Sequence, residues 1–223
     1  MNSMLIKNIK KALYLFVLIG YSFAWSGSYE DFFRAIKQDD APTIRGLLGR
    51  GFDPNVRDPS GHNGLFLALR EPSLNVANAL IDWPKTQVES RNKADESPLM
   101  MASLKGHTEM VKKLIARGAD VNKPGWAPLH YAATYGHLEI MTLLLDNHAY
   151  IDASSPNDST PLMMAALYGT PSAVKLLLEA GADPSIKNRL GMTAIDFAHR
   201  DKRVESAEII AAFVRGRQGK GTW

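Results

Sequence analysis

One stretch of the chain determines the fold: residues 97–122 read SPLMMASLKGHTEMVKKLIARGADVN. Ser97 followed by Pro98 is typical of a helix start, because a serine hydroxyl caps free backbone N–H groups and proline is favoured at the first helical position. Gly106 predicts the end of this helix, since glycine adopts a left-handed cap at low cost. Apolar residues at helical spacing then predict a second helix, namely Met110, Val111, Leu114 and Ile115. Gly118 closes that helix, so the stretch predicts two short helices followed by a polar turn.

The same unit recurs along the chain at a spacing of about 33 residues. Each copy has an apolar anchor near the start of its first helix. The anchors, separated by 33, 34, 30, 33 and 33 positions, are Phe32, Leu65, Leu99, Leu129, Leu162 and Ile195. An alanine follows three residues after every anchor. Tandem copies of one unit predict an all-α repeat solenoid, because no unit can bury its apolar face alone.

The downstream copies keep the helix signals of the first stretch. Thr160-Pro161 repeats the hydroxyl–proline helix start. Gly136 and Gly169 stand where first helices are predicted to end in a left-handed cap, and Gly181 closes a second helix.

These motifs together resemble the ankyrin repeat over about residues 28–215. The segments that carry the resemblance are SPLMMA at 97–102, PLHYAA at 128–133, YGHLE at 135–139, and GAD at 118–120 and 181–183. The resemblance implies helix–turn–helix units joined by hairpin loops. It also implies a concave face, built from hairpin tips and the exposed side of the first helices, that binds other proteins.

Six units are expected, and the first and last should be atypical caps because one of their faces meets water. The units fall within a domain of residues 25–215, at about 28–57, 58–91, 92–122, 123–152, 153–185 and 186–215. Residues 216–223 are predicted to form a flexible tail. We expect a distorted loop at 82–92, where Trp83-Pro84 replaces the closing glycine, and a tight turn at 122–127 in the short fourth unit.

The N-terminal segment predicts export. Three lysines between positions 7 and 11 precede the apolar run 12–19, and small residues at 22 and 24 fit a cut after Ala24. Residues 1–24 are therefore predicted to be a secretory signal peptide. The alternative is an uncleaved membrane anchor, but the apolar run from 12 to 25 is shorter than the about 20 residues that span a bilayer. We expect a periplasmic protein, with secretion or membrane anchoring as alternatives.

The charge balance offers no support for nucleic-acid binding. The whole chain has a formal net charge of +3, but its first 24 residues contain three lysines and no acidic residue. The remainder has 23 basic and 23 acidic residues, so no basic surplus is left to attract phosphates. The chain contains no cysteine, which is compatible with an oxidising compartment without proving one.

No constellation of residues predicts an active site or a metal site. His107, His130 and His137 occupy positions where the ankyrin resemblance implies a structural role. The other histidines lack metal-ligand spacing, and no Gly-x-Ser-x-Gly motif occurs. His148 replaces a closing glycine, which predicts mild local strain. We therefore expect a protein that is not an enzyme and uses no cofactor or metal.

The ankyrin resemblance also implies which residues face a partner. They are the two positions before the glycine that follows each first helix and the position before the helix start. Nine candidates result: Glu96, Leu104, Lys105, Trp126, Thr134, Tyr135, Ser159, Leu167 and Tyr168. Aromatic side chains are frequent at interaction hot spots, so Trp126, Tyr135 and Tyr168 are the main candidates. In an alternative interpretation, these rings only cover their own helices.

The sequence thus favours a monomeric, non-catalytic protein-binding solenoid that is exported to a bacterial periplasm or beyond. Its partner could be an envelope enzyme, a toxin that it neutralises as an immunity protein, or a host protein if the chain is released as an effector. The main alternative is an accessory envelope or stress-protection role with a small-ligand or lipid surface, and a hidden hydrolase comes third. Neither a nucleic-acid partner nor stable membrane insertion after signal cleavage is expected.

Overall fold

Twelve helices make up most of residues 27–218, the part of the chain that the structure, a computed structural model, describes. The first, α1, is helical over 27–37. The others are α2 (Ala41–Gly49), α3 (Gly64–Arg70), α4 (Leu74–Asp82), α5 (Pro98–Lys105), α6 (Thr108–Ala116), α7 (Pro128–Tyr135), α8 (Leu138–Asp146), α9 (Pro161–Leu167), α10 (Pro171–Glu179), α11 (Ala194–Arg200) and α12 (Val204–Gln218). Within the described range the only β-pairing is an isolated bridge between Arg57 and Asn63. The predicted signal peptide at 1–24 lies outside the described residues.

The helices pair into six helix–turn–helix units, and the units stack in two rows. First helices pack side by side from α3 through α5, α7 and α9 to α11, and second helices pack in order from α2 to α12. The alanine three residues after each anchor is buried in all six units, which lets neighbouring first helices approach closely. The prediction of an all-α repeat solenoid is therefore confirmed.

The anchors form the buried centre of the array. Those that are fully buried are Phe32, Leu65, Leu99, Leu129 and Leu162. The absence of a side chain at Gly64 lets α1 pack closely against α3. A Cβ at this position would lie only 2.5 Å from Cζ of Phe32. Ile195 is only partly buried, since the last unit has no neighbour on its outer side.

Polar caps start the first helices as predicted. Ser97 Oγ accepts a hydrogen bond at 3.2 Å from the backbone N–H three residues later, and Thr160 Oγ1 does the same at 3.3 Å. Asn63 Oδ1 provides an equivalent cap for α3 at 2.8 Å, in the irregular second unit. Each bond satisfies a donor that the helix itself leaves free.

Four of the five glycines that were predicted to end helices adopt the left-handed conformation. Gly106 and Gly136 have φ angles of 75° and 68° after first helices, and Gly118 and Gly181 have φ angles of 84° and 106° after second helices. His148 occupies the same place after α8 with φ of 65°. A non-glycine residue is strained in this region, as the sequence predicted for His148.

The prediction of a left-handed cap at Gly169 is wrong. Helix α9 ends at Leu167, and Gly169 is absent from the residues with positive φ. A Cβ on Gly169 would instead overlap the carbonyl oxygen of Ala133 and lie 2.9 Å from that of Ala165. Glycine is needed there because the backbones of α7 and α9 come close together.

The connections vary as the sequence indicated. Trp83 is extended after α4, with ψ of 121°, which begins the irregular loop expected near 82–92. The connection 117–127 is three residues shorter than 147–160, and Gly125 turns it with φ of 80°.

Helix α12 includes residues 216–218, which were assigned to a tail, so the helical region is longer than predicted. No helix between residues 27 and 218 combines the length and apolar composition needed to cross a membrane.

Candidate functional site

A groove opens along the first helices of the third, fourth and fifth units, and we call it the middle groove. Its volume is about 310 Å³. Its lining comes from α5, α7, α9 and the connection before α7: Leu104, Trp126, His130, Tyr131, Thr134, Tyr135, Met164 and Tyr168. Five of the nine predicted partner-facing residues therefore line one groove.

The short connection before α7 holds Trp126 against that helix. The Trp126 ring packs edge-on against His130, with ring centroids 5.2 Å apart, and against Tyr131 at 6.5 Å. Lys123 stabilises the turn that carries Trp126. Its Nζ donates to the Trp126 carbonyl at 3.1 Å and lies 2.6 Å from Asp95 Oδ2. Trp126 is thus partly buried against its own unit and still contributes to the groove lining.

Two tyrosines separated by one repeat project from the ends of neighbouring first helices. Tyr135 and Tyr168 are each 59% exposed, a large fraction for aromatic side chains. Tyr135 stacks on His137 with nearly parallel rings, 6.1 Å between centroids. The structure therefore leaves both tyrosines available for contact with another molecule.

Two of the nine candidates cannot face a partner, and the prediction is wrong for them. Leu167 is 4% exposed and belongs to the apolar core, because α9 is packed between α7 and α11. Ser159 is fully buried; its carbonyl accepts from His130 Nε2 at 3.0 Å, and its N–H donates to Ser155 Oγ at 2.9 Å. Both residues stabilise the repeat stack.

Leu104 is partly exposed and lines the middle groove, and the other three candidates have distinct environments. Glu96 is held at the edge of the middle groove, where its Oε1 accepts from the Tyr131 hydroxyl at 3.4 Å. Lys105 is exposed at the opposite end of α5. Thr134 lines the groove, but its hydroxyl donates to the His130 carbonyl within α7 at 2.8 Å.

Sequence reasoning missed three lining residues, Tyr131, Met164 and His130. Tyr131 and Met164 share the second position after their anchors, where the side chain is large in every unit from the second onward. That shared position is a signal that could have found them. His130 was assigned a structural role, and its ring serves both as a packing surface for Trp126 and as part of the lining.

A second depression, the N-terminal groove, lies between α1 and α3 and was not predicted. Its volume is about 560 Å³. It is lined by Tyr29, Glu30, Phe33, Arg34, Ile36, Lys37, Asp58, Pro59, Leu67, Arg70 and Glu71. Arg34 pairs with Asp31 at 3.1 Å and Arg70 with Glu71 at 3.0 Å, so much of the charge around it is compensated within the chain.

The histidines join neighbouring units, as the resemblance implied. His107 Nε2 lies 3.1 Å from the Leu69 carbonyl, and His137 Nε2 lies 3.1 Å from the Leu104 carbonyl one repeat later. Because a carbonyl only accepts, the bonded nitrogen carries the proton in each case. These side chains connect each unit to the end of the preceding first helix.

His130 makes two buried hydrogen bonds that need the neutral ring. Its Nδ1 accepts from the Ala127 N–H at 3.1 Å, and its Nε2 donates to the Ser159 carbonyl. Burial lowers the pKa of His130 to about 4. Burial and the Glu96 carboxylate raise the pKa of the neighbouring Tyr131 to about 12, so both groups are neutral near pH 7.

The described residues contain no cluster suited to a metal ion. Among residues 27–218, no group of three or more His, Cys, Asp or Glu side chains has the arrangement needed to hold one. The acidic residues are instead distributed along the loops and second helices, where several pair with lysine or arginine.

The family follows from the repeats. The sequence model of ankyrin repeats matches residues 32–124, 75–155 and 129–215, so the matches together cover 32–215. The chain belongs to the ankyrin repeat family, whose fold is generally a non-catalytic module for protein–protein interaction.

Its curated relatives are much longer proteins. The chain is 31% identical over 168 residues to the B-cell lymphoma 3 protein homolog of Mus musculus, which covers 72% of the chain and 37% of the relative. It is 30% identical over 161 residues to the nuclear factor NF-kappa-B p105 subunit of Gallus gallus, covering 69% of the chain and 16% of the relative. The chain thus spans little more than a third of the length of the first relative and about a sixth of the length of the second.

Two solved structures match nearly over their whole length. The ankyrin repeat protein EF0377 superposes with a TM-score of 0.72 at 29% identity, covering 81% of this chain and 96% of that one. A chain in the complex of the predatory endopeptidase Bd0816 from Bdellovibrio bacteriovorus with the immunity protein Bd3460 superposes with a TM-score of 0.71 at 26% identity. That match covers 82% of this chain and 97% of the other.

Proposed function

We propose that this chain is an exported, non-catalytic binding protein that holds a protein partner in its middle groove. One observation carries the proposal: Tyr135 and Tyr168, one repeat apart and each 59% exposed, line the same groove as Trp126. Large aromatic side chains that remain exposed on a rigid surface are the usual anchors of protein interfaces.

The stacked repeats give this groove its advantage. Hydrogen bonds and buried apolar side chains fix α5, α7 and α9 before any partner arrives. A preorganised surface loses little conformational entropy on binding, so more of the contact energy contributes to affinity. The mechanism we propose is therefore rigid presentation of aromatic anchors.

We further propose that the partner is an enzyme or toxin of the cell envelope that this chain restrains as an immunity protein. The similarity to a chain from the complex of an endopeptidase with an immunity protein supports this role. The basic and apolar pattern of residues 7–24 supports export to the compartment where such an enzyme acts.

Binding is tested by capture from envelope and secreted fractions, using tagged protein in the form that accumulates in cells. A Tyr135→Ala, Tyr168→Ala double variant should bind its partner at least about 100-fold more weakly, because truncating a hot-spot residue commonly costs about 2 kcal/mol. Tyr150→Ala is the matched control, since Tyr150 is 69% exposed and lies outside the middle groove. Equal capture by wild type and double variant would show that the interface lies outside the middle groove.

Export is tested separately by fractionation and N-terminal sequencing. The mature protein should begin at Trp25 and occur in the periplasm or medium. A chain that keeps Met1 and stays with the cytoplasmic fraction would show that the export proposal is wrong, without affecting the binding proposal.

A further inference from the structure

We propose that the middle groove receives a lysine or arginine side chain of the partner protein, held against the groove aromatics and paired with the Glu96 carboxylate. This inference rests on the proposed function, because it specifies the chemistry of the partner at the same groove. The guest in the groove is a cationic residue of a protein segment, not an apolar anchor.

The first support is the number of aromatic rings around one small volume. The groove lining includes Trp126, Tyr131, Tyr135 and Tyr168. The faces of such rings attract cations, most strongly where the site is partly shielded from water. Lysine and arginine also have long apolar stems that can pack against the rest of the lining, Leu104 and Met164.

The chain does not use these rings for its own cations. Within residues 27–218, the cation–π contacts are Arg200 over Phe197 and Arg217 over Phe213, each 4.8 Å from the ring centroid and both in the last unit. The aromatic surface of the middle groove therefore remains open to a cation from another molecule.

The second support is the state of Glu96. Its Oε2 accepts from Asn92 Nδ2 at 2.7 Å and its Oε1 accepts from the Tyr131 hydroxyl at 3.4 Å. These bonds orient the carboxylate but leave its charge uncompensated, since no ion pair to Glu96 occurs among the described residues. A negative charge fixed beside an aromatic groove complements a cationic guest.

The neighbouring residue provides the contrast. Asp95 is compensated by two cations, Lys123 at 2.6 Å and Arg91 at 3.4 Å. The positive charge of Lys123 is thus already matched by Asp95 and does not offset the charge of Glu96. Two adjacent acidic residues therefore differ in role: Asp95 pairs with Lys123 of the turn before α7, and Glu96 is available to a partner.

The two ends of the middle groove also differ in charge. Lys105 ends α5 and Glu96 precedes its start, and an eight-residue helix is about 12 Å long. The cation of Lys105 would repel a basic guest at its own end of the groove, which places the guest near Glu96, Trp126 and Tyr131.

The experiment uses ¹⁵N-labelled protein, purified as it accumulates in cells, and three blocked peptides that differ in one residue. The sequence acetyl-Gly-Ala-X-Ala-Gly-amide carries lysine, arginine or norleucine at X, and norleucine keeps the apolar stem without the charge. The lysine and arginine peptides should shift the amide signals of Trp126 and Tyr131, at the Glu96 end of the groove, in a saturable way and should bind about tenfold more tightly than the norleucine peptide.

Glu96→Gln tests the charge with little change in shape, because the glutamine Oε1 can still accept from Asn92 Nδ2 while its Nε2 donates to the Tyr131 hydroxyl oxygen, which reverses that second bond. This variant should bind the cationic peptides about tenfold more weakly and the norleucine peptide equally. Glu208→Gln, an exposed carboxylate on α12, is the control and should change neither. Equal binding of norleucine and lysine peptides, no effect of Glu96→Gln, or no groove shifts would each overturn the inference.

Capture of the natural partner separates this inference from the proposed function. If the double tyrosine variant loses the partner and Glu96→Gln retains it fully, the groove binds a partner and the cation inference is wrong. If the double tyrosine variant also retains the partner, the proposed function of the groove itself is wrong.

Discussion

Asn122 reaches across one repeat to the backbone of Tyr150. Its Oδ1 accepts the Tyr150 N–H at 2.8 Å, and its Nδ2 donates to the carbonyl of His148 at 2.8 Å. One amide side chain thus binds both sides of the next turn, including the strained left-handed residue.

Equivalent bonds connect three of the other four pairs of neighbouring units. In each, an Asn, Asp or Glu side chain accepts from the backbone N–H of the following unit. The pairs are Asn55 with Gln87 at 2.8 Å, Glu89 with Asp120 at 2.9 Å, and Asp152 with Asp183 at 3.1 Å. This series aligns the loop side of the array, which α-helical packing alone does not determine.

Replacing Asn122 with alanine should lower the free energy of unfolding by about 1–2 kcal/mol, because two hydrogen bonds between units are lost together. Urea unfolding monitored by circular dichroism measures the change. Asn78→Ala is the control, since the Asn78 amide donates only within its own helix, to the Leu74 carbonyl. A loss at Asn122 no larger than at Asn78 would contradict the role of this bond in stacking.

His148→Gly should stabilise the protein. His148 has φ of 65°, while the corresponding residues Gly51, Gly118 and Gly181 are glycines with positive φ. Relief of the left-handed strain should raise the free energy of unfolding by about 0.5–1 kcal/mol, after the greater entropy of glycine in the unfolded chain is included. Ala149→Gly, at a neighbour without positive φ, should lower stability in the same urea assay.

Acid should destabilise the array through His130. Its folded pKa of about 4 lies below the ordinary value of 6.5, so the folded state binds fewer protons than the unfolded state. The stability contributed by the neutral ring is complete above pH 6.5 and is lost as the pH falls towards 4. Between pH 7 and pH 5 the free energy of unfolding should fall by about 2 kcal/mol from this residue.

Urea midpoints at both pH values check this, with His130→Gln as the comparison. Glutamine does not titrate, so the variant should be less stable at pH 7 and should lose the part of the acid sensitivity that His130 contributes. His199→Gln, at an exposed position on α11, should keep the wild-type pH dependence. The same acid sensitivity in His130→Gln would assign it to other groups.

Features that depend on local backbone geometry could be predicted from the sequence. Ser97 and Thr160 cap their helices, and Gly106 and Gly118 turn left-handed, because these conformations are set by the residue itself and its near neighbours. The stacking was also predictable, since anchor and alanine recur in every copy.

Features that depend on the neighbouring unit could not be predicted from local sequence. Leu167 and Leu104 occupy the same position in the repeat, yet Leu167 is buried and Leu104 is partly exposed. The N-terminal groove depends on how the α1 helix packs against α3, which the repeat pattern does not specify. Burial in a solenoid is a property of two adjacent units together.

Gly169 provides the sharpest test of this difference between local and neighbouring effects. Its replacement by alanine should lower the free energy of unfolding by about 2–3 kcal/mol, because the new Cβ would overlap backbone atoms at Ala133 and Ala165 that cannot move independently. Gly181→Ala should cost only about 1 kcal/mol, since φ is 106° but the surrounding space is open.

Gly49 completes the comparison. It lies in α2 with open space around it and no positive φ, so Gly49→Ala should stabilise the protein by about 0.5–1 kcal/mol. Urea unfolding of the three variants should therefore rank Gly49→Ala above wild type, then Gly181→Ala, then Gly169→Ala. If Gly169→Ala is no worse than Gly181→Ala, conformational freedom rather than close approach of α7 and α9 explains the glycine at position 169.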